Sequence, residues 1–459
     1  MNDPLTLPPD EMRRLGHQVI DRIVDHLERL ADLPPIRTGD AQALRADLGG
    51  PPPELPGDPQ QALDALFDDV LPFAQYGDHP RFFARIGSPS NFVSVLADAA
   101  AAGFNVFTGS WTGGAGPATV ELVVLDWLRA LCGLPAGTDG VLVSGGSVAS
   151  LVGLAAARTA RLDGRPAAGA TIYASAEAHA AIGRALRVLG FAPEQLRRLP
   201  ADDRRRLSVA AVREAVEADL AAGRRPFCIV ATAGTTNTGA VDPLGELADL
   251  CAEHGLWLHV DGAYGAPAVL CEAGRAALAG MERADSLVLD PHKWLFQPYE
   301  VGCVLVREPG LLERTFALEG DYLRDVTGGE VSFRDRSVQL TRGGRALKLW
   351  LSIRVFGLAA FRDAVARGIA LAEHAEAVLA ALPGWEVASP AQLAIVCFRR
   401  SGDDALQSRI ADAMVRDGFA APSTTVVDGR VVLRLCTINP RTTFADVERT
   451  IERMETVAS

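Results

Sequence analysis

Lysine is almost absent from this chain, because in 459 residues it occurs only at Lys293 and Lys348. Neither lysine follows a glycine and precedes Ser or Thr, so a Walker A phosphate loop is excluded. The H-E-x-x-H zinc motif, the calcium loop and the G-x-G-x-x-G dinucleotide fingerprint are missing as well. The sequence therefore does not encode a P-loop NTPase, a zinc protease of that type or a standard dinucleotide-binding unit, and we expect no metal site.

Paired cysteines, long apolar runs and an excess of positive charge are also lacking. The seven cysteines stand singly, which is typical of reduced thiols in a cytoplasm rather than of a disulfide framework. No apolar run reaches the roughly 18 residues of a membrane span, and the first residues do not resemble a secretory signal. The net charge of −12 gives no electrostatic basis for binding nucleic acid or an anionic membrane. We expect a cytoplasmic protein that binds neither.

Three regions follow one another along the chain. Residues 1–84 hold an amphipathic helix over residues 10–32 and a Pro/Gly-rich linker, and we expect this segment to serve dimerisation. Residues 85–344 alternate short apolar strands with helices, a pattern that predicts an α/β domain with a mostly parallel sheet covered on both faces. Residues 345–459 begin with a long helical stretch and continue as a small α/β domain. Ligands of such sheets bind at the carboxyl ends of the strands.

The stretch Ser144-Gly145-Gly146-Ser147 connects a predicted strand to a predicted helix, and we call its backbone the cradle. Its glycines allow N–H groups to approach a ligand, and a helix N-terminus favours an anion such as phosphate. Two other interpretations stay open. The stretch can be a tight turn in which Ser147 caps the helix. It also approximates the G-x-S-x-G nucleophile elbow of a serine hydrolase, for which His374 is a histidine in the required order.

Two further strand ends carry residues that suit a cationic ring cofactor. Asp261 ends a buried strand, where a carboxylate needs a turn to cap or a cation such as a protonated pyridine. Lys293 follows another strand, and a lysine desolvated under Trp294 can have its pKa lowered enough to form a Schiff base. The alternative is a surface lysine. His179 opens a helix after a third strand. A phosphate cradle, a carboxylate, a lysine and an aromatic cover are the parts that pyridoxal phosphate (PLP) requires.

With these motifs the sequence resembles the group II PLP-dependent amino-acid decarboxylase family, on its aromatic-amino-acid branch. The resemblance rests on HVDGAYG at residues 259–265 and DPHKWLFQPYEVG at residues 290–302, and it extends over nearly the whole chain. It implies the aspartate-aminotransferase-like PLP fold and a homodimer with active sites at the subunit interface. It also implies decarboxylation of an L-amino acid, with an aromatic one as the expected substrate, to the amine and CO₂.

The resemblance assigns roles to single residues as well. Lys293 matches the lysine that forms an imine with PLP, and Asp261 matches the carboxylate that keeps the ring nitrogen protonated. The ring would lie between Ala263 and His179, with Thr236 beside it. The positions that match phosphate contacts in the family are Gly146, Ser147, Ser286 and His292.

Four positions depart from the family pattern, and one of them is Val148, which stands where many members have Glu after the serine. Asp290 replaces an Asn common in animal members and places a second carboxylate near the phosphate. Gly109 replaces a pocket Phe, which predicts a roomier or differently shaped pocket. Phe333 aligns with the loop tyrosine that protonates the substrate carbon, with Tyr322, Ser332 or His179 as other donors. Since a phenyl ring has no such proton, an aldehyde synthase that couples decarboxylation to oxidative deamination with O₂ stays open. A non-catalytic protein of the same fold is a further alternative.

Overall fold

The computed structural model describes residue 3, residues 5–318 and residues 330–458. The α-helices of these residues are α1 (Pro9–Arg29), α2 (Ala41–Leu48), α3 (Pro59–Ala65), α4 (Phe92–Gly103), α5 (Trp111–Leu131), α6 (Gly146–Leu162), α7 (Ala180–Val188), α8 (Val209–Ala221), α9 (Leu244–His254), α10 (Glu272–Ala277), α11 (Pro291–Trp294), α12 (Leu311–Phe316), α13 (Ala346–Ala381), α14 (Asp404–Arg416) and α15 (Phe444–Ala458). The strands are β1 (Asp139–Val143), β2 (Ala170–Ser175), β3 (Leu196–Leu199), β4 (Arg225–Thr232), β5 (Trp257–Asp261), β6 (Ser286–Leu289), β7 (Gly302–Val306), β8 (Trp385–Gln392), β9 (Ile395–Arg400), β10 (Ser423–Val427) and β11 (Arg430–Cys436).

The first seven strands form one sheet in the order β1-β7-β6-β5-β4-β2-β3. Neighbours from β3 through β6 are parallel, whereas β7 runs antiparallel to both β6 and β1. The strands β2, β5, β6 and β7 are buried along their whole length, because α6 packs over one part of the sheet and α8 and α9 over another. Burial on both faces explains why these strands are continuous apolar runs. The predicted α/β fold is confirmed.

The register of the parallel strands brings several strand ends to one edge of this sheet. Asp261, the last residue of β5, lies opposite Thr232 of β4 and opposite Val288 of β6. Asp290 directly follows the last residue of β6, and its N–H donates to the Ala263 carbonyl, two residues after β5, at 3.1 Å. Since parallel strands share a direction, their carboxyl ends form one continuous edge, and the polar residues there become neighbours.

The second sheet is smaller and antiparallel, with the strand order β10-β11-β9-β8. The hairpin between β10 and β11 turns at Asp428 and Gly429, whose φ angles of 52° and 73° are those that an Asp-Gly turn adopts. The helices α13 and α14 bury their apolar sides against this sheet, around Leu379, Phe398 and Met414, and α15 packs on these two helices. The C-terminal region is therefore a small α/β unit with a core of its own.

The N-terminal helix has no fully buried side chain. It spans Pro9–Arg29 and continues into a 3₁₀ turn at Leu30–Asp32, close to the predicted span. Its apolar residues Met12 and Val24 stay exposed. None of the described helices is both long and apolar enough to cross a membrane.

Candidate active site

A cavity of about 290 Å³ opens at the carboxyl edge of the large sheet. It lies where β4, β5 and β6 end and where α6 and α7 begin, as expected for a doubly covered parallel sheet. The predicted site residues that line it are Gly146, Ser147, His179, Thr236, Asp261, Ala263, His292 and Lys293. Two other predicted residues, Ser286 and Phe333, do not line it.

The cradle connects β1 to α6 and lies close against the strand ends. A Cβ atom placed on Gly146 would come within 2.9 Å of Asp290 Oδ2 and within 3.0 Å of Ala263 Cβ, so a larger residue here would be crowded against both side chains. The helix starts at Gly146 after the N-cap Gly145, and no side chain caps it. The interpretation of Ser147 as a capping residue is therefore wrong. The first N–H groups of α6 have no partner inside the helix and are available to an anion.

Asp261 places a buried carboxylate at the base of the cavity. Its Oδ1 accepts a hydrogen bond from the Ala263 N–H at 3.1 Å, which holds the side chain at the strand end. Burial raises the pKa of Asp261, and the positive charge of Lys293 opposes that rise. A buried carboxylate of this kind is stabilised by a cation within reach.

Lys293 lies on the single turn of α11, directly after β6. Its Nζ is 2.9 Å from Asp290 Oδ2, and this carboxylate is almost fully buried. Burial acts to lower the pKa of Lys293, but the Asp290 carboxylate outweighs burial and the net shift is upward. The lowered lysine pKa expected from the sequence is wrong, because that expectation left out Asp290.

Trp294 does not cover the lysine. Its indole stacks on Tyr264 with ring centroids 5.2 Å apart, and Trp294 is fully buried inside the core. His179 is one of the aromatic residues that line the cavity, and it caps α7 by accepting a hydrogen bond from the Ala181 N–H at 3.2 Å through Nδ1. This bond holds the imidazole at the cavity wall.

His292 and Thr236 complete the wall on either side. His292 Nδ1 accepts a hydrogen bond from the Val301 N–H at 3.2 Å, and its Nε2 lies 3.7 Å from Asp290 Oδ2. Thr236 belongs to the loop after β4, which is held by the Thr235 hydroxyl accepting a hydrogen bond from the Ala240 N–H at 3.1 Å.

Ser286 is not a phosphate contact, and this expectation is corrected. The serine begins β6, so it lies at the end of the strand opposite to Asp290 and the cradle. Its Oγ accepts a hydrogen bond from Trp257 Nε1 at 2.8 Å and pairs with His259 Nδ1 at 2.8 Å. These bonds use the hydroxyl inside the core. The family match in sequence did not show which end of the strand the serine occupies.

Phe333 also lies away from the cavity, and its predicted catalytic place is corrected for the protomer described here. Its side chain has no exposed surface and packs in the main core, with the Arg342 guanidinium 5.0 Å from the ring centroid. The next residue, Arg334, donates its N–H to Gly109 O at 3.0 Å. Of the other donors considered, Ser332 does not line the cavity and Tyr322 lies outside the described residues.

The expectation of extra room at Gly109 does not hold either. A Cβ atom on Gly109 would lie 2.4 Å from Phe107 Cζ and 2.5 Å from Leu340 O. The ring of Phe107 thus occupies the space that the missing side chain leaves.

The serine hydrolase alternative fails on geometry. His374 lies on α13, where its Nε2 pairs with Glu448 Oε1 at 2.9 Å. It does not line the cavity that contains Ser147, so no histidine from that helix can activate the serine.

The residues that do meet in the cavity fit PLP. The cradle offers backbone donors to a phosphate, the Asp261 carboxylate suits a protonated ring nitrogen, and the Lys293 amine suits the aldehyde. The sequence analysis placed Asp290 near the phosphate but did not pair it with Lys293, although its position three residues before the lysine was a usable signal. In an α-helical turn, residues three apart are neighbours.

Comparison with known proteins agrees with this chemistry. The family model described as the pyridoxal-dependent decarboxylase conserved domain matches residues 50–401. An aromatic-L-amino-acid decarboxylase of Bacillus atrophaeus is 45% identical over 100% of this chain and 98% of its own length. A tyrosine decarboxylase of Oryza sativa subsp. japonica is 36% identical over 86% of this chain and 78% of its own.

Comparison with solved structures shows that the similarity covers the whole fold. The crystal structure of Oryza sativa TDC with PLP and tryptamine superposes with a TM-score of 0.94 at 29% identity, and it covers 100% of this chain and 99% of the other. The non-catalytic alternative is thereby set aside, because the family match and the lysine, carboxylate and cradle occur together. The chain belongs to the pyridoxal-dependent decarboxylase family and is a PLP-dependent amino-acid decarboxylase.

Proposed function

We propose that this enzyme removes CO₂ from an aromatic L-amino acid and yields the corresponding amine. The observation that carries the proposal is the meeting of Lys293, Asp261 and the cradle in one cavity at the sheet edge. The aromatic class of substrate is supported by the activity named for the Bacillus relative, whose sequence aligns with this chain from end to end.

The roles of the cavity residues follow from their chemistry. PLP, when bound, supplies a ring that takes up the electron pair left on the substrate carbon by the loss of CO₂. Asp261 would keep a proton on the ring nitrogen, since a buried carboxylate stabilises an adjacent cation. Lys293 would hold the aldehyde carbon through its amine. Ala263 and His179 would confine the two ring faces.

The phosphate would be held by the cradle and by His292. The N–H groups of Gly146 and Ser147 head α6, where the helix dipole adds to their attraction for an anion. His292 can donate from Nε2, because its Nδ1 is already used as an acceptor for the Val301 N–H. These contacts would orient the reacting end of the cofactor toward Lys293.

We also propose a homodimer. Large apolar side chains stay exposed directly after α4 and on α13, two helices that pack against each other, and they include Phe104, Val355 and Phe356. On α1, Met12 and Val24 are exposed and the other apolar side chains are half-buried. Exposed apolar side chains gathered on neighbouring elements are typical of a subunit interface. A cytoplasmic location is supported by the seven cysteines, all of which are free.

The amine is the product that the described residues favour over the aldehyde. The aldehyde alternative depended on Phe333 standing at the reacting carbon. That ring is enclosed in the core beside Arg342, so its position does not support O₂ chemistry.

The test uses the purified enzyme loaded with PLP. We expect an absorption band of an imine in the visible region, and borohydride should fix the cofactor on Lys293, mapped by peptide mass spectrometry. Because the chain has only one other lysine, Lys348, the assignment has a built-in control. Incubation in air with L-tryptophan, L-tyrosine, L-phenylalanine and, as the control, L-glutamate should yield amine and CO₂ from the aromatic substrates. A cofactor fixed on Lys348, or release of CO₂ from glutamate alone, would refute the proposal.

A further inference from the structure

The two lysines of the chain each pair with an aspartate at the same distance. Lys293 Nζ lies 2.9 Å from Asp290 Oδ2, and Lys348 Nζ lies 2.9 Å from Asp98 Oδ2. Lys348 also donates to the Pro298 carbonyl at 3.0 Å, and neither it nor Asp98 lines the cavity. One ion pair thus lies inside the candidate active site, and a matched pair lies outside it.

Asp290 is packed directly against the cradle. Only 2% of the residue is exposed, and a Cβ atom on Gly146 would lie 2.9 Å from its Oδ2. The other oxygen, Oδ1, is buried and has no hydrogen-bond partner among the described residues. A Cβ atom on Gly302 would lie 2.8 Å from this oxygen, so the carboxylate is enclosed between two glycines. The cradle therefore has a negative charge built in beside the place where we put the phosphate.

This charge acts in opposite directions on its two neighbours. It attracts the Lys293 ammonium, and it repels an anion that enters the cradle. The enclosed setting strengthens both effects, because water screens buried charges poorly.

The other ionisable groups around the pair do not cancel the charge of Asp290. Asp261 adds a second carboxylate from β5, and Tyr299 acts on Lys293 in the same sense as the two carboxylates. The imidazole of His292 is disfavoured as a cation by burial, which lowers its pKa. His179 lines the facing wall from the start of α7. Among these groups, Asp290 is the one that contacts the ammonium.

We propose that Asp290 is a positioning residue that keeps Lys293 as an ammonium in the cofactor-free enzyme and weakens the hold of the cradle on the phosphate of the cofactor. The inference rests on the proposed function, because it takes the cradle to be the phosphate site. It means that the ion pair must be disturbed whenever the cofactor enters. Asp290 thereby lowers the affinity of the cofactor-free enzyme for the phosphate of the cofactor.

The test compares the cofactor-free wild type with Asp290→Asn and, as the matched control, Asp98→Asn. The probe is pyridoxine 5′-phosphate, which carries the phosphate but has no aldehyde to react with a lysine. Its dissociation constant is measured by calorimetry at pH 7.5. We expect Asp290→Asn to bind the probe at least about tenfold more tightly than the wild type, because a negative charge next to the phosphate is removed. Asp98→Asn should match the wild type.

A second measurement follows the lysine itself. Trace labelling of amines with acetic anhydride, read by peptide mass spectrometry, reports the fraction of Lys293 that is neutral at each pH. At pH 8 we expect Lys293 to react at least about tenfold faster in Asp290→Asn than in the wild type, since the neutral amine is the reactive form. If that variant does not fold, Asp290→Ser takes its place in both measurements, with the same expected results.

The possible outcomes distinguish a failure of the role of Asp290 from a failure of the cradle as the phosphate site. Equal probe affinities in all three proteins, or a Lys293 labelling rate unchanged by Asp290→Asn, would overturn the role of Asp290 while the cradle assignment stands. Absence of probe binding in all three proteins at millimolar concentration would overturn the cradle as a phosphate site, and with it the proposed function. Equal tightening in Asp98→Asn would assign the effect to net charge and refute a local role.

Discussion

Arg342 and Glu121 form an ion pair in which both side chains are fully enclosed. Arg342 donates through Nη1 to Glu121 Oε2 at 3.0 Å and through Nη2 to Oε1 at 2.7 Å, and Glu121 also accepts the N–H of Leu142 at 3.0 Å. The pair thus connects the segment before α13 to α5 and to β1, two residues before the cradle begins. The pair therefore helps to hold β1, and with it the cradle, in position.

Arg342→Ala should lower the free energy of unfolding by about 3–5 kcal/mol, because it leaves the Glu121 carboxylate buried without its partner. Urea unfolding followed by circular dichroism measures the change. The control is Arg430→Ala, which breaks an exposed pair with Glu386 and should cost less than about 1 kcal/mol. Similar decreases in the free energy of unfolding of the two variants would show that the buried pair stabilises the protein no more than an exposed pair does.

Asp261→Asn should reduce turnover about a hundredfold or more while PLP still binds. An amide cannot stabilise a protonated ring nitrogen as a carboxylate does, and each 1.4 kcal/mol added to the barrier costs about a factor of ten in rate. Amine formation gives kcat, and the visible absorption band gives the bound cofactor. Asp285→Asn is a suitable control, since Asp285 is also partly buried but accepts the Leu258 N–H outside the cavity. Near-normal turnover in Asp261→Asn would make Asp261 a turn cap only.

Phe333→Tyr should leave the products unchanged and lower stability. The new hydroxyl would enter a fully buried site, where an unsatisfied polar group costs about 1–3 kcal/mol. Amine and hydrogen peroxide are measured separately after reaction in air, and the unfolding midpoint is measured in urea. A shift from aldehyde and peroxide toward amine in the tyrosine variant would contradict the placement of this ring and restore the synthase alternative.

Phe104→Asp should dissociate the proposed dimer. Phe104 follows α4 with 87% of its surface exposed, so the free protomer loses nothing by the change, whereas a charge inside an apolar interface is costly. Sedimentation velocity reports the species present. Leu220→Asp changes an exposed apolar residue on α8 and should leave the assembly intact. A dimer that survives Phe104→Asp would remove α4 from the interface.

The sequence by itself determined the fold class and most of the cavity. One apolar strand ends at Asp261 and another ends shortly before Lys293. Both can be predicted from the sequence because a parallel sheet buries both faces and exposes its ends. The two glycines of the cradle can be recognised in the sequence, because glycine permits the close backbone contacts that the structure contains. Eight of the ten predicted site residues therefore line the cavity.

The tertiary structure determined which charged groups lie next to each other and in which direction the side chains point. The upward pKa shift of Lys293 depends on the 2.9 Å contact with Asp290; the spacing of three residues indicates that the two side chains are neighbours, but not that the carboxylate is buried against the ammonium. Ser286 and Phe333 matched family positions, yet the hydroxyl of one is used by Trp257 and His259 and the ring of the other is enclosed in the core. Position along a chain predicts the neighbourhood of a residue, whereas packing from distant segments selects the partner that its side chain meets.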